Sequence, residues 1–180
     1  MKMELTYLSL GSNIGDRESN IQSALNQIDR KIGNIISISK LYENPSVGFD
    51  GDMFYNCCIG VETILKPQDL LNILLIIEKK AGRIRKKDKR YSSRIIDLDI
   101  LFFQDQVINT NDLIIPHPKL HQREFVIKPL LDIANSKIHP KSKQSILEIS
   151  HDLNNFSKVI EIENKLYNPV LNSLKSFNNI

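Results

Sequence analysis

Two aspartates, Asp97 and Asp99, lie two residues apart at the start of an apolar segment that runs to Phe103. In a β-strand the side chains of alternate residues point to the same face, and a rise of about 3.4 Å per residue places these carboxylates roughly 7 Å apart. Carboxylates at this spacing can each bind one of two Mg²⁺ ions, or bind one ion together, while phosphate oxygens complete the octahedral coordination. The pair therefore indicates a site for a magnesium polyphosphate.

The segment that precedes the aspartates is strongly basic, with nine Lys and Arg residues between positions 79 and 94. Guanidinium groups such as those of Arg83 and Arg94 can contact two phosphate oxygens at once, which a lysine cannot do. Basic segments are usually solvated surface, and paired aspartates often only shield an edge strand. Exposed salt bridges contribute only about 0–1 kcal/mol, however, so stability alone explains the combination poorly. The combination favours phosphate binding.

Residues 82–85 and 94–101 resemble the signature of the 6-hydroxymethyl-7,8-dihydropterin pyrophosphokinases. Four further segments agree with that family in order and spacing, and the resemblance covers roughly residues 4–150; the segments are 10–15, 42–48, 54–56 and 116–125. The resemblance implies transfer of the pyrophosphoryl group of ATP to the hydroxymethyl oxygen of a reduced pterin, with release of AMP, in tetrahydrofolate biosynthesis. It also implies that two Mg²⁺ ions assist the transfer.

The resemblance implies roles for individual residues. Metal binding is implied for Asp97 and Asp99, which with Arg83 and Arg94 form the expected catalytic group. Contacts with ATP are implied for Glu78, Arg83, Arg85, Arg94, Ile100, His117 and Arg123. Contacts with the pterin are implied for Phe54 and Phe125 as stacking rings, for Asn56 as an edge-reading amide, and for Asn44, Pro45 and Val47 through backbone groups. Without the resemblance, both phenylalanines would be assigned to the core.

The elements that must position these residues follow from the periodicity of the apolar positions. Strands are predicted at residues 5–10, 35–42, 54–64 and 95–103, and helices at 17–32 and 67–81. This order predicts a ferredoxin-like α+β core, in which an antiparallel sheet carries both helices on one side. Alternation in the last strand predicts that Leu101 and Phe103 share a face with the two aspartates.

The remaining elements are predicted from weaker signals. An edge strand or hairpin is predicted at residues 107–115, a further helix at 125–134, and a short C-terminal helix at 168–177. The whole chain, 1–180, is expected to form one domain, in which residues 150–180 are a tail without an assigned role.

Composition excludes several classes of protein. The net charge is only +3, so the basic character is local. Cys57 and Cys58 are adjacent in a predicted strand and point to opposite faces, which fits neither a disulfide nor a zinc site. No Gly-Lys-Ser/Thr follows the glycines at 11–15, which excludes a P-loop.

No apolar segment approaches about 18 residues, and the N-terminus lacks a signal peptide, so we expect a cytoplasmic protein without membrane contact. A monomer that binds two small-molecule substrates is expected. The strongly apolar helix at 67–81 is also compatible with a dimer interface.

The main alternative is an RNA-binding module, because ferredoxin-like sheets also bind RNA and residues 79–94 are basic. Such a module would carry an exposed aromatic pair in a Lys/Arg-Gly-Phe/Tyr type of segment, which this sequence lacks. The two aspartates would also repel phosphate unless metal ions intervene. A simple interaction domain is a third possibility, favoured only by the apolar helix. We therefore expect no nucleic-acid partner.

Overall fold

The computed structural model of the protein describes residues 2–82, 93–153, 158–163 and 166. The strands are β1 Glu4–Ser12, β2 Gly33–Ile38, β3 Leu41–Asn44, β4 Phe54–Thr63, β5 Asp97–Phe103, β6 Ile108–Asn109, β7 Ile114–Ile115 and β8 Ile160–Ile162. The α-helices are α1 Arg17–Lys31, α2 Pro67–Lys80, α3 Glu124–Ala134 and α4 Ile146–His151, with a short 3₁₀ helix at Leu120–Gln122.

The main sheet is antiparallel and has the strand order β5-β1-β4-β3-β8. β4 is the longest strand, and it pairs with β1 along one side and with both β2 and β3 along the other. The predicted ferredoxin-like arrangement of β1, α1, β2/β3, β4, α2 and β5 is confirmed. None of the helices in the described part of the chain has the length and apolar character that crossing a bilayer requires.

The second predicted strand, 35–42, is divided into β2 and β3, so the prediction of one continuous strand is wrong. The register with β4 changes by one residue between the pairs Ile38–Ile59 and Tyr42–Asn56. Ser39 lies at this irregularity, where its hydroxyl accepts a hydrogen bond from the Cys58 backbone N–H at 2.9 Å. One extra residue on this side of the ladder is the pattern of a β-bulge.

The core has two parts, one on each face of the sheet. α1 and α2 cover one face with side chains such as Leu25 and Leu74, as the ferredoxin-like prediction requires. α3 and α4 cover the other face, where Val126 and Ile149 pack against Cys58. The helices at 124–134 and 146–151 therefore form a second layer that closes the opposite face.

A register irregularity in β5 changes which side chains share a face with the aspartates. Leu8 pairs with Ile100 while the neighbouring Tyr7 pairs with Phe102, so one residue of β5 has no partner position in β1. Phe103 consequently packs on the α1–α2 side, and Leu101 and Phe102 pack on the α3–α4 side. The prediction that Phe103 shares a face with Asp97 and Asp99 is wrong because simple alternation stops at this bulge.

The peripheral predictions have mixed outcomes. β6 and β7 form the predicted hairpin, and α3 corresponds to the predicted helix at 125–134. α4 was not predicted, although Ser145 and Glu148 form a capping box that signals its start in the sequence. The predicted helix at 168–177 lies outside the described residues. The tail contributes β8, which pairs with β3 at the edge of the main sheet.

Candidate active site

A cavity of about 600 Å³ opens at one end of the main sheet, on the face that α3 covers. β1, β3, β4 and β5 each contribute lining residues, and the loop after β3 and the start of α3 form its sides. The cavity brings together most of the predicted site residues: Asn44, Pro45, Val47, Phe54, Asn56, Arg94, Asp97, Asp99, Arg123 and Phe125. Arg83 and Arg85 lie outside the described residues.

The two aspartates form the acidic end of the cavity, and each contacts an arginine. The guanidinium of Arg94 donates to Asp97, and Arg123 Nη1 donates to Asp99 Oδ2 at 3.1 Å. The carboxylates remain partly accessible, with side-chain exposures of 17% and 34%. This end of the site therefore presents carboxylates and guanidinium groups side by side on an accessible surface. The carboxylates can bind cations and the guanidinium groups can bind phosphate oxygens, as a site for a polyphosphate with its cations requires.

His117 lies beside Asp99, with its Nε2 atom 3.8 Å from Asp99 Oδ2. Its Nδ1 atom accepts a hydrogen bond from the Lys119 backbone N–H at 3.1 Å, so in the neutral ring the proton is on Nε2. Burial lowers the pKa of His117 and outweighs the opposing effect of Asp99. His117 is therefore a neutral donor at neutral pH, and its role in ATP binding stays a prediction.

Asn13 forms hydrogen bonds with the backbone of Arg94 and the side chain of Ser93, shortly before the two aspartates. Its Oδ1 atom accepts from the Arg94 backbone N–H at 2.6 Å, its own backbone N–H donates to the Arg94 carbonyl at 3.0 Å, and its Nδ2 atom donates to Ser93 Oγ at 3.1 Å. The residue is only 1% exposed. Asn13 thus joins the end of β1 to Arg94. It was not predicted as a site residue, although segment 10–15 belongs to the resemblance.

Two residues predicted to contact ATP lie on the α2 side of the sheet. Glu78 is 1% exposed, and its Oε1 atom accepts a hydrogen bond from the Leu98 backbone N–H at 2.9 Å. Ile100 is 6% exposed and packs in the core between the sheet and the helices. Neither side chain lines the cavity. Their contacts with ATP stay predictions, whereas the structure places Glu78 directly beneath the backbone between the two aspartates.

Replacement of Glu78 by Leu is expected to destabilise the fold by about 1–3 kcal/mol, because the buried Leu98 N–H loses an acceptor. For a chain of this size this corresponds to a fall in Tm of roughly 2–12 °C. Glu78→Gln keeps an oxygen acceptor and is expected to lose less. Thermal unfolding of the two variants and the wild type tests this, and an unchanged Tm in Glu78→Leu would contradict it.

The other end of the cavity is lined by aromatic rings and amides. Asn56 Nδ2 donates to Asn44 Oδ1 at 2.6 Å, and both residues are 4% exposed. Asn44 Nδ2 in turn donates to the Pro45 carbonyl at 2.8 Å. This chain of bonds orients the Asn56 amide, so that its Oδ1 atom faces Gly11. A Cβ on Gly11 would lie 2.7 Å from that oxygen, so only glycine leaves room there.

Phe54 on β4 and Phe125 at the start of α3 are half-buried and line the same cavity. They are therefore not core residues, in contrast to what burial propensity alone would predict. Phe49, which was not predicted, also lines the cavity and packs edge-to-face on Phe54 with ring centroids 6.2 Å apart. Val47 is 61% exposed at the rim. The arrangement offers flat apolar surface to a ring system whose polar edge would meet the amides.

The model of the 7,8-dihydro-6-hydroxymethylpterin-pyrophosphokinase (HPPK) family matches residues 7–135. The chain belongs to this family. The HPPK of Porphyromonas gingivalis, 2-amino-4-hydroxy-6-hydroxymethyldihydropteridine pyrophosphokinase, is 38% identical over 143 residues, which are 78% of this chain and 97% of the relative. The corresponding enzyme of Aquifex aeolicus is 40% identical over 147 residues, covering 81% of this chain and 90% of the relative.

Some relatives are much longer than this HPPK chain. Folic acid synthesis protein fol1 of Pneumocystis carinii is 40% identical over 174 residues, and the match covers 96% of this chain but 22% of that protein. A crystal structure of HPPK-DHPS in complex with substrates has a TM-score of 0.68 at 15% identity, covering 85% of this chain and 44% of that one. Wild-type Plasmodium falciparum HPPK-DHPS with SDX-DHP has a TM-score of 0.70 at 17% identity, covering 84% and 44%.

The structural likenesses at such low identity show the fold alone, and they confirm the ferredoxin-like prediction. The family match confirms the resemblance seen in residues 82–101. It favours the pyrophosphokinase over the RNA-binding alternative, which no finding supports. The roles of individual residues remain predictions, since membership of the HPPK family does not itself test them.

Proposed function

We propose that this protein transfers the pyrophosphoryl group of ATP to the hydroxymethyl oxygen of 6-hydroxymethyl-7,8-dihydropterin, yielding the pterin diphosphate and AMP in tetrahydrofolate biosynthesis. The observation that carries the proposal is the division of one cavity into two chemically different ends. Asp97 and Asp99, each paired with an arginine, are on β5, and Phe54 and Asn56 are on β4, two strands away. The Phe125 ring adjoins the charged end, with its centre 5.7 Å from the Arg123 guanidinium. A polyphosphate and a flat heterocycle can therefore be held next to each other.

The residues present fit a magnesium site. Asp97 and Asp99 offer oxygen donors, which Mg²⁺ prefers, and both are partly accessible from the cavity. The described residues contain no cluster of three or more His, Cys, Asp or Glu side chains suited to a metal, so phosphate oxygens and water would supply the other ligands. When bound, Mg²⁺ neutralises charge on the polyphosphate and polarises the attacked phosphorus. One ion at each carboxylate is the arrangement we propose.

In this proposal, Arg94 and Arg123 neutralise the negative charge of the phosphate groups. Both guanidinium groups already lie at the carboxylates, so each needs only a side-chain movement to reach phosphate oxygens there. Phosphoryl transfer depends mainly on positioning and charge neutralisation, with little demand for a strong protein base. Arg83, Arg85 and His117 are proposed as further ATP contacts on the resemblance alone.

The pterin lies between Phe54 and Phe125 in this proposal. The Asn56 carboxamide oxygen faces Gly11 and accepts from the amino group at the edge of the heterocycle. Asn44 keeps that amide oriented through the 2.6 Å bond between the two side chains. Backbone groups of Pro45 and Val47 form further hydrogen bonds with the polar edge of the pterin. Stacking supplies affinity, whereas the amide supplies discrimination between heterocycles.

Incubation of the protein with MgATP and the reduced hydroxymethylpterin is expected to release AMP in a 1:1 ratio with pterin diphosphate. The reason is that attack on the β-phosphorus makes AMP the leaving group. Chromatographic measurement of AMP, ADP and the pterin product tests the proposal. Omission of the pterin is expected to abolish AMP release, and formation of ADP or pterin-independent AMP would contradict the proposed reaction.

The state of assembly and the cellular location stay predictions: a monomer, or a dimer through the exposed side of α2, in the cytoplasm. Size-exclusion chromatography with light scattering distinguishes the first two.

A further inference from the structure

Residues beyond the segment matched by the family model also line the cavity. The match ends at residue 135, whereas Lys158 and Val159, which directly precede β8, contribute to the cavity wall. We propose that Lys158 is a pterin-recognition residue, held in place by β8, whose ammonium donates a hydrogen bond to an acceptor atom on the heterocycle. This inference rests on the proposed function, because it assigns a contact to the substrate of that reaction.

The order of the strands places Lys158 at the heterocycle end of the cavity. The aspartates are on β5, and β8 is at the opposite edge of the sequence β5-β1-β4-β3-β8. Adjacent strands are about 4.8 Å apart, so these two strands are separated by roughly 19 Å. This distance exceeds the reach of a lysine side chain. Lys158 is therefore far from the carboxylates and close to β3 and the loop that follows it.

The register of β8 on β3 gives the position more closely. Glu43 pairs with Ile160 in an antiparallel ladder. Continuation of this register places Val159 beside Asn44 and Lys158 beside Pro45, and all four of these residues line the cavity. Lys158 therefore lines the cavity on the same side as the backbone groups that we assign to the pterin edge.

Several contacts fix the segment that carries Lys158. Lys128 Nζ donates to the Val159 carbonyl, and Val159 is only 3% exposed. The ammonium of Lys128 also lies 5.4 Å from the centre of the Tyr42 ring. Lys40, the residue before β3, forms an ion pair at 2.8 Å with Glu161 of β8. The backbone at 159–161 is thus tied to α3 and β3, which gives Lys158 a defined origin.

Lys158 differs from the arginines of the cavity in its contacts. Arg94 and Arg123 are engaged with the two aspartates. Among the described residues, Lys158 forms no ion pair or hydrogen bond and its side chain is exposed. An ammonium group without such contacts can donate a hydrogen bond to a ligand without first breaking a contact within the protein. A pterin offers an oxygen substituent and ring nitrogens as acceptors, which a flexible ammonium can reach.

The test compares Lys158→Met, which keeps most of the apolar stem but removes the charge, with Lys158→Arg and the wild type. Lys158→Met is expected to raise KM for the pterin about tenfold, the low end for loss of a hydrogen bond from a charged donor. KM for MgATP is expected to change less than twofold, and Lys158→Arg to recover part of the lost affinity. Lys31→Met, at the end of α1 and away from the cavity, is the matched control and is expected to behave as wild type.

Lys128→Met tests whether the attachment of the Val159 backbone to α3 positions Lys158. It is expected to raise KM for the pterin by a smaller factor, and to add little in the Lys158→Met background, because both changes act through one ammonium. Thermal unfolding verifies that each variant is folded. An unchanged pterin KM in Lys158→Met would overturn the inference, and so would an equal rise in KM for MgATP. Lack of AMP formation by the wild type would instead overturn the proposed function itself.

Discussion

Replacement of Asp97 or Asp99 by Ala is expected to lower kcat/KM by about a thousandfold or more. The loss corresponds to roughly 4 kcal/mol of transition-state stabilisation, a typical size for an anchor of Mg²⁺ on a transferring phosphoryl group. Both side chains are at the cavity wall and outside the two core clusters, so the fold is expected to persist. Steady-state kinetics over a range of Mg²⁺ concentrations, together with thermal unfolding, provides the measurement.

The matched control for this prediction is Asp105→Asn. Asp105 is an exposed aspartate just beyond β5 that forms an ion pair with Lys137. Removal of its charge is expected to leave turnover within about twofold of the wild type. Asp97→Asn and Asp99→Asn separate loss of charge from loss of volume. Turnover at the wild-type level in either Ala variant, at saturating Mg²⁺, would refute the assignment of these two carboxylates as metal anchors.

Replacement of Arg94 by Ala is expected to lower kcat about a hundredfold while weakening ATP binding less than tenfold. A guanidinium that contacts phosphate mainly as charge develops contributes more to the transition state than to the ground state. Arg94→Lys keeps the charge but not the two-pronged geometry, so it is expected to recover only part of the activity. Turnover and the equilibrium Kd of ATP, measured separately, give the two quantities. Replacement of Arg83 by Ala is likewise expected to lower kcat more than it weakens ATP binding.

The alternative outcome for Arg94 is equally informative. If ATP affinity falls as much as kcat/KM while kcat is unchanged, Arg94 is a binding residue only. Because Arg94 also contacts Asp97, its loss affects the acidic end of the site. The double variant Arg94→Ala/Asp97→Asn resolves this: an effect of Arg94→Ala that disappears in the Asp97→Asn background would mean that the arginine acts only through the carboxylate.

Local patterns in the sequence determined the order of the core elements and much of the site. The alternation and 3.6-residue periodicity that define strands and helices depend on residues close together in the chain, so β1, α1, β4, α2 and β5 were predicted near their observed bounds. The spacing of Asp97 and Asp99 placed both on one strand face for the same reason. All residues assigned to the pterin through the resemblance line one cavity, and their individual roles stay predictions.

Only the tertiary structure decided the features that depend on partners distant in the chain. The bulge in β5 that moves Phe103 to the other face, and the division of β2 from β3, are properties of strand register against β1 and β4. Glu78 is assigned an ATP contact through the resemblance, yet its side chain is buried and accepts a hydrogen bond from a backbone N–H 20 residues away, a partner that the local sequence does not indicate. Residues 160–162 of the tail pair with the open edge of β3 as β8, and no periodicity in three residues could have indicated that pairing.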